Sequence, residues 1–313
     1  MQRKDTMDAF GVISLTGFAL LLAINQVTIK VTNEGIQPIF LAGLRSLGGA
    51  VCILAWMRFR GLSTQVAPGT ARAGLLIGLL FTFEFVFLFL ALDLTTVTRS
   101  SVIFYTMPVW LTLGAHLLLP GERMSASKAV GLAMAVAGMA WAILNRGGPE
   151  GEASLLGDLF ALAASICWAA IALCARASAL KAVRPEMQLL WQLVISTPIL
   201  LLAAPLFGPL LREPSLIHWA GLGFQIVAVV SAGFLFWLWL LSLYPAASVA
   251  SFSFLSPIFG VLLGWALLGE HLGPEILVAL GLVCAGLVLI NRPVRDPPIP
   301  ANDPRPGPPR PPA

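Results

Sequence analysis

Two ionisable side chains lie deep inside apolar runs: Arg45 within PIFLAGLRSLGGAVCILAW and Glu84 within LLFTFEFVFLFL. An ionisable group at membrane depth is costly and is by default a functional candidate. A carboxyl in such a place can hold a proton or a substrate amine and exchange one for the other. Arg45 could pair with it. Phe81, Phe83, Phe85, Phe87 and Phe89 surround Glu84 in sequence; most must face lipid or neighbouring helices, because alternate residues point around a helix.

A second pattern is a polar stripe. Ser101, Tyr105, Pro108, Thr112 and His116 follow helical steps that keep them on one face. Facing lipid they would be expensive, whereas facing a watery cavity or a neighbouring helix they are not. His116 is close to the end of its run, where an interfacial place also suits it. Pro108 removes a backbone hydrogen bond and can kink its helix or form a hinge, as can Pro257. Ser248, Ser251, Ser253 and Ser256 precede Pro257, spread around their helix, and suit packing or cavity lining equally. Asn25, Gln26, Trp191 and Gln192 are further candidate contacts. Trp168, Trp237 and Trp239 could offer flat apolar surfaces to an organic substrate, or cation–π contact to an amine, unless they serve packing or interface anchoring. Glu122 and Glu270, at the ends of apolar runs, are expected to satisfy loop or helix-terminal amides.

Other chemistries find no support in the spacing. Cys52, Cys167, Cys174 and Cys284 all fall inside apolar runs and read as small packing residues. His116, His218 and His271 are far apart, and neither an HxxxH nor a CxxC pattern occurs. No nucleophilic, metal or acid–base set converges, so the chain is not expected to be an enzyme or to need a cofactor.

The elements that must position these side chains are membrane spans. Charged residues are 11% of the 313, less than half the share usual in soluble domains, while hydrophobic residues are 58%. Mean hydropathy is +0.88. Too few polar groups exist to cover a water-soluble surface of this size, which argues against a soluble enzyme, a nucleic-acid binder or a disordered chain. A window of about 20 residues marks ten candidate spans, near residues 10–31, 36–57, 73–92, 100–119, 127–144, 156–176, 187–207, 217–240, 246–268 and 273–290. The runs are continuous rather than alternating, unlike the strands of a membrane barrel. No cleavable signal peptide is evident.

Fourteen Lys and Arg residues fall on one side of this arrangement, and only Lys30, Arg99, Arg146 and Arg212 on the other. The positive-inside rule then places both termini in the cytoplasm of a multi-pass inner-membrane protein. Residues 1–8 form a cytoplasmic N-terminus and 147–154 an external connector. Ten of the 23 prolines lie beyond Arg292, so residues 293–313 read as a disordered cytoplasmic tail.

The chain also repeats itself. RSSVIFYTMPVWLTLGAHLLLPGE, ending at Glu122, answers ASVASFSFLSPIFGVLLGWALLGE, ending at Glu270. Pro108 pairs with Pro257, Gly121-Glu122 with Gly269-Glu270, and Asn145-Arg146 with Asn291-Arg292. Upstream, Pro38 and Arg45 answer Pro185 and Gln192. The repeats cover residues 9–146 and 155–292, five spans each. Because five is odd, the copies must cross the membrane in opposite senses, a hallmark of secondary transporters. Duplication that merely builds a larger scaffold is the bland alternative.

On these residues the chain resembles the drug/metabolite transporter superfamily, specifically its EamA-type members. The matching positions are Asn25, Lys30, Arg45, Pro108, Gly121-Glu122, Trp168, Arg176, Pro257 and Gly269-Glu270. The resemblance implies a basket of ten helices around a central cavity, with the fifth and tenth farther from it. Leu22-Ala23 stands where the family often has Trp-Gly, although Trp168 occupies the equivalent place in the second half.

The expected function is a carrier for a small organic metabolite, such as an amino acid, amine or similar amphiphile, working by alternating access. Export is expected from the family tendency, and protons are the candidate coupling ion through Glu84. A phosphorylated metabolite or nucleotide-sugar fits less well, because phosphate recognition uses several cations and only Arg45 is deep. A channel or a non-transporting scaffold is the alternative of another class; a channel would show a filter or a ring of carboxylates. Partners are the substrate and membrane lipid, with no nucleic acid, and a monomer suffices.

Overall fold

The computed structural model describes residues 7–119, 122, 124–145, 154–244, 249 and 252–291. The chain runs through α1 (Ala9–Gly35), α2 (Pro38–Phe59), α3 (Ala71–Leu94), α4 (Val97–Phe104), α5 (Met107–Leu118), α6 (Ala126–Leu144) and α7 (Leu155–Ala177). It continues through α8 (Pro185–Ala203), α9 (Leu216–Phe224), a π-helical segment (Gln225–Gly233), α10 (Phe234–Leu243), α11 (Leu255–Leu268) and α12 (Pro274–Ile290). Among the described residues there is no strand, only one isolated antiparallel bridge between Ile36 and Leu211.

Eight stretches are long and apolar enough to cross a membrane, and α11 and α12 are shorter apolar helices of 14 and 17 residues. Residues 245–248, 250 and 251, which begin the expected ninth span, lie outside the described residues, as do the connector 147–153 and the tail 293–313. Large apolar side chains such as Phe59, Leu202 and Leu216 stand at least 80% exposed, a surface that suits lipid and not water. The described residues are helical, and the protein is a multi-pass membrane protein.

Local chemistry sets the helix starts. Asp8 accepts from the Gly11 amide at 3.0 Å, and Ser154 accepts from the Gly157 amide at 3.4 Å. Proline opens α2, α8 and α12, where its missing N–H has no helical partner to lose.

Two expected spans are not continuous α-helices. The fourth is broken at Tyr105-Thr106, and Pro108 sits in the first turn of α5 rather than bending an unbroken helix. The eighth holds the π-helical segment in its middle. At Tyr105-Thr106 the backbone ladder is interrupted, which at membrane depth is tolerated where the freed groups are buried in protein or line a cavity; in the π-helical segment the ladder shifts to i→i+5 bonds.

Close helix approaches are made by glycine. In α12 against α6, a Cβ at Gly286 would lie 2.5 Å from the Gly131 carbonyl oxygen, and one at Gly131 would lie 2.7 Å from that of Gly286. In α11 against α4, a Cβ at Gly260 would fall on the Ser101 hydroxyl. One at Gly264 would meet Thr98, with its amide 3.1 Å away. Such small-residue seams let backbones pack tightly where lipid supplies no hydrophobic drive. Elsewhere α3 packs along α7 and α8, α2 along α8 and the π-helical segment, α1 along α11, and α5 along α7.

Candidate functional site

A cavity of about 910 Å³ runs from the middle of the bundle to the end that carries Glu122. Arg45 on α2 and Glu84 on α3 both line it, 6% and 5% exposed. They do not form an ion pair within 4 Å. Instead the Arg45 guanidinium lies over the Phe85 ring, 4.1 Å from its centroid, with Phe89 at 5.8 Å. A ring face attracts the cation without supplying a hydrogen-bond acceptor, and the Arg45 Nε has no hydrogen-bond partner.

Asn25, Gln26, Tyr105, Trp168, Gln192 and Trp237 also line the cavity. The Asn25 Oδ1 and the Gln26 Nε2 are buried without partners. Trp168 stacks on Phe104 at 5.0 Å between centroids and 14° between planes, with Tyr105 edge-on at 6.4 Å. Trp237 stacks on Phe18 at 4.8 Å. The wall is thus mostly apolar, with aromatic faces, a set of polar groups, and one acidic and one basic side chain at depth, the usual make-up of a site for a small organic molecule.

The stripe on the fourth span divides. Tyr105, Pro108, Thr112 and His116 line the cavity, but Ser101 is fully buried in the α4–α11 seam, donating to the Gln26 Oε1 at 2.9 Å. Pro257 is buried in the first turn of α11, beside Ser256 of the wall. Ser253 lines the wall as well and accepts from Asn291 at 3.0 Å. Ser251 lies outside the described residues. Of α6 and α12, only Lys128 and Ile290 touch the cavity, both at its mouth.

The mouth is ringed by His116, Glu122, Lys128 and Arg176. Glu122 was expected on backbone amides and instead pairs with Arg176, both side chains being more than a third exposed. An exposed pair of this kind contributes little to stability.

The opposite end is shut by polar contacts. Glu270 takes the amides of Val97 and Thr98, at 2.6 and 2.7 Å, and Thr96 takes that of Arg99 at 3.2 Å. The three first-turn donors of α4 are therefore all satisfied, two of them by a carboxylate favoured by the helix dipole. Gly269 adopts a left-handed conformation, φ 66°, that turns the chain so that Glu270 faces α4. Beside it the Arg99 Nη2 donates to Asp158 at 2.6 Å, its Nε lies 3.2 Å from both carboxylate oxygens, and both residues are buried. Lys30 donates to the Thr95 carbonyl at 2.9 Å. The α1–α2 and α8–α9 turns are tied by two backbone bonds, Gln37 N to Leu210 O and Arg212 N to Gly35 O. Arg212 also pairs with Asp93 at 2.8 Å.

Arg99, just ahead of the fourth span expected from the sequence, lies inside α4, 2% exposed. Asp158 and Gln225 are buried polar residues that the sequence pattern does not single out. Gln225 opens the π-helical segment, fully buried, with both amide atoms unpartnered. An acidic residue in the first turn of an apolar helix was the available signal for Asp158; Gln225 gave none beyond a polar residue within a span.

With fold and cavity in place, the comparison with known families is decisive. The EamA-like transporter family matches residues 9–144 and again residues 155–292. The chain belongs to the EamA-like transporter family.

The transporter is similar to the uncharacterized transporter YoaV of Bacillus subtilis (strain 168), 23% identical over 282 residues that cover 89% of this chain and 94% of the relative. It is also similar to a probable amino-acid metabolite efflux pump of Salmonella typhimurium, 29% identical over 305 residues, 92% of this chain and 95% of that one. A solved crystal structure, 20% identical, superposes with a TM-score of 0.62 over 88% of this chain and 95% of its own. That likeness is one of fold. As a member of a transporter family, the protein acts on a small molecule in a membrane environment.

Proposed function

We propose that this transporter exports a small organic metabolite, an amino acid, amine or similar amphiphile, across the cytoplasmic membrane by alternating access. The observation that carries the reading is the cavity. It is open at the Glu122 end, bolted at the Glu270 end, and lined at mid-depth by Arg45, Glu84 and the aromatic faces of Trp168 and Trp237. An ammonium suits Glu84, a carboxylate suits Arg45, and an apolar body suits the rings. The name of the Salmonella relative supports both the amino-acid class and the outward direction. Sugar-phosphate carriage is disfavoured: Arg176 is already engaged by Glu122, leaving Arg45 as the deep cation.

Alternating access here rests on two inverted five-helix halves, residues 9–146 and 155–292, with both termini cytoplasmic. Matched contacts at opposite ends of the bundle support this. Gly157 packs against Thr95, whose hydroxyl donates to Asp158 at 3.0 Å. Gly11 packs against Tyr244, whose hydroxyl donates to Asp8 at 2.5 Å. Thr95 and Tyr244 stand at equivalent places, 13 residues before Pro108 and Pro257. Proton coupling through Glu84 completes the proposal, and one chain supplies the whole cavity.

A thermal-shift screen of purified protein against amino acids, amines, vitamins and nucleosides tests the substrate class, because a ligand that binds only the folded state raises its stability. Counterflow in proteoliposomes with the strongest hit tests the carrier. Exchange of labelled for unlabelled compound is expected. A hit that stabilises the protein without counterflow overturns transport of that compound.

A further inference from the structure

We propose that Glu270 is a positioning residue for transport, a latch that holds its end of the cavity shut by gripping the α4 amides and that must let go each time this mouth opens. The inference rests on the alternating-access reading above.

Three observations carry it. The grip joins distant parts of the chain: a carboxylate just beyond α11 accepts both the Val97 amide at 2.6 Å and the Thr98 amide at 2.7 Å. Neither contact is needed to form α11, which already ends on the left-handed Gly269. The seam beneath is cut to fit the grip, since a Cβ at Gly264 would lie 2.5 Å from the Glu270 Oε2 and crowd Thr98. Finally, the repeat-equivalent Glu122 behaves differently. It sits half-exposed at the open mouth on Arg176, so the two carboxylates differ as the two mouths differ.

The bond type suits a latch. Charge-assisted hydrogen bonds to backbone amides are strong and directional. Yet they are few, and water can replace both partners when the seam parts, so the closed mouth is held without being locked. Ser101 lies one turn below Thr98 in the same seam, facing Gly260 of α11 and Gln26 of α1, and loses its α11 cover when α11 leaves α4.

The test uses full-length protein with its four cysteines replaced by alanine and one reporter added, Ser101→Cys in the seam or Thr112→Cys in the cavity. A membrane-impermeant maleimide is applied to intact cells for one face and to inverted vesicles for the other. Two variants weaken the latch. Glu270→Gln replaces one acceptor oxygen by a donor. Val97→Pro deletes one donor at the first helical position, where proline is tolerated, after a Thr96 that is already extended, ψ 156°. Labelling of Ser101→Cys in intact cells is expected to rise about tenfold, the factor carried by a charge-assisted hydrogen bond. Labelling of Thr112→Cys in inverted vesicles is expected to fall. Unchanged labelling of both reporters in both variants overturns the latch and leaves alternating access standing. A rise at Ser101→Cys with Thr112→Cys still fully labelled means that both mouths are open together, which keeps the latch and overturns alternating access.

Discussion

Arg99 and Asp158 form a buried ion pair that ties α4 to α7, with 2.6 Å between the Arg99 Nη2 and the Asp158 Oδ2. The pair is fully furnished: Arg99 also donates to the carbonyls of Ala142 and Asn145, and Thr95 donates to Asp158 at 3.0 Å. Removing one partner of such a pair strands the other charge away from water. Asp158→Asn is expected to lower stability by about 3–5 kcal/mol, whereas the double replacement Arg99→Leu with Asp158→Leu is expected to recover much of that loss. Thermal melting of the purified protein in detergent, read as a double-mutant cycle, checks this. A single variant as stable as the parent would show the pair to be idle.

Glu84 lines the cavity beside Arg45 without pairing to it within 4 Å, so its carboxyl is available for exchange. If it carries a proton inward as substrate leaves, export accelerates as the external side is acidified and slows as it is made alkaline. Glu84→Gln cannot release a proton. It is expected to keep the fold and lose this dependence, measured as substrate flux in proteoliposomes at several external pH values. An unaltered profile removes Glu84 from coupling.

Trp168 presents one face to Phe104 and also borders the cavity. Trp168→Ala deletes that surface and is expected to raise the half-saturating substrate concentration about tenfold, with Trp168→Phe costing less because a ring remains. Concentration dependence of counterflow separates the two. Equal values for both variants and parent would place Trp168 outside substrate contact.

Gly286 and Gly281 lie on the same helix in opposite circumstances. A methyl at Gly286 meets the Gly131 carbonyl at 2.5 Å, while one at Gly281 meets nothing within 4 Å. Gly286→Ala is therefore expected to destabilise by about 1–3 kcal/mol through overpacking. Gly281→Ala is expected to be neutral or to stabilise by up to about 1 kcal/mol, by removing unfolded-state freedom. Melting temperatures of the two proteins make the comparison, and equal shifts would contradict the α6–α12 seam.

Much was legible beforehand because lipid is an unforgiving solvent. Apolar runs long enough to cross a bilayer, Arg45 and Glu84 buried within them, and the Gly-Glu ending at Gly269-Glu270 are each local facts, visible without knowing a neighbour. Family membership followed from the same local signals. Glu270 was read as satisfying helix-terminal amides, and the structure supplies which amides they are.

The rest depended on who faces whom. Arg99 and Asp158 are 59 residues apart, and nothing in either segment names the other; only packing of α4 on α7 makes one charge cover the other. Ser101 keeps the helical phase of Tyr105 and Thr112, yet α11 lies over it, because Gly260 and Gly264 bring that helix too close to leave room for water. Helical phase can be counted along a chain. Which face is covered, which mouth is shut and which polar atoms go unpaired are set by contacts between remote segments, and those exist only once the helices have packed.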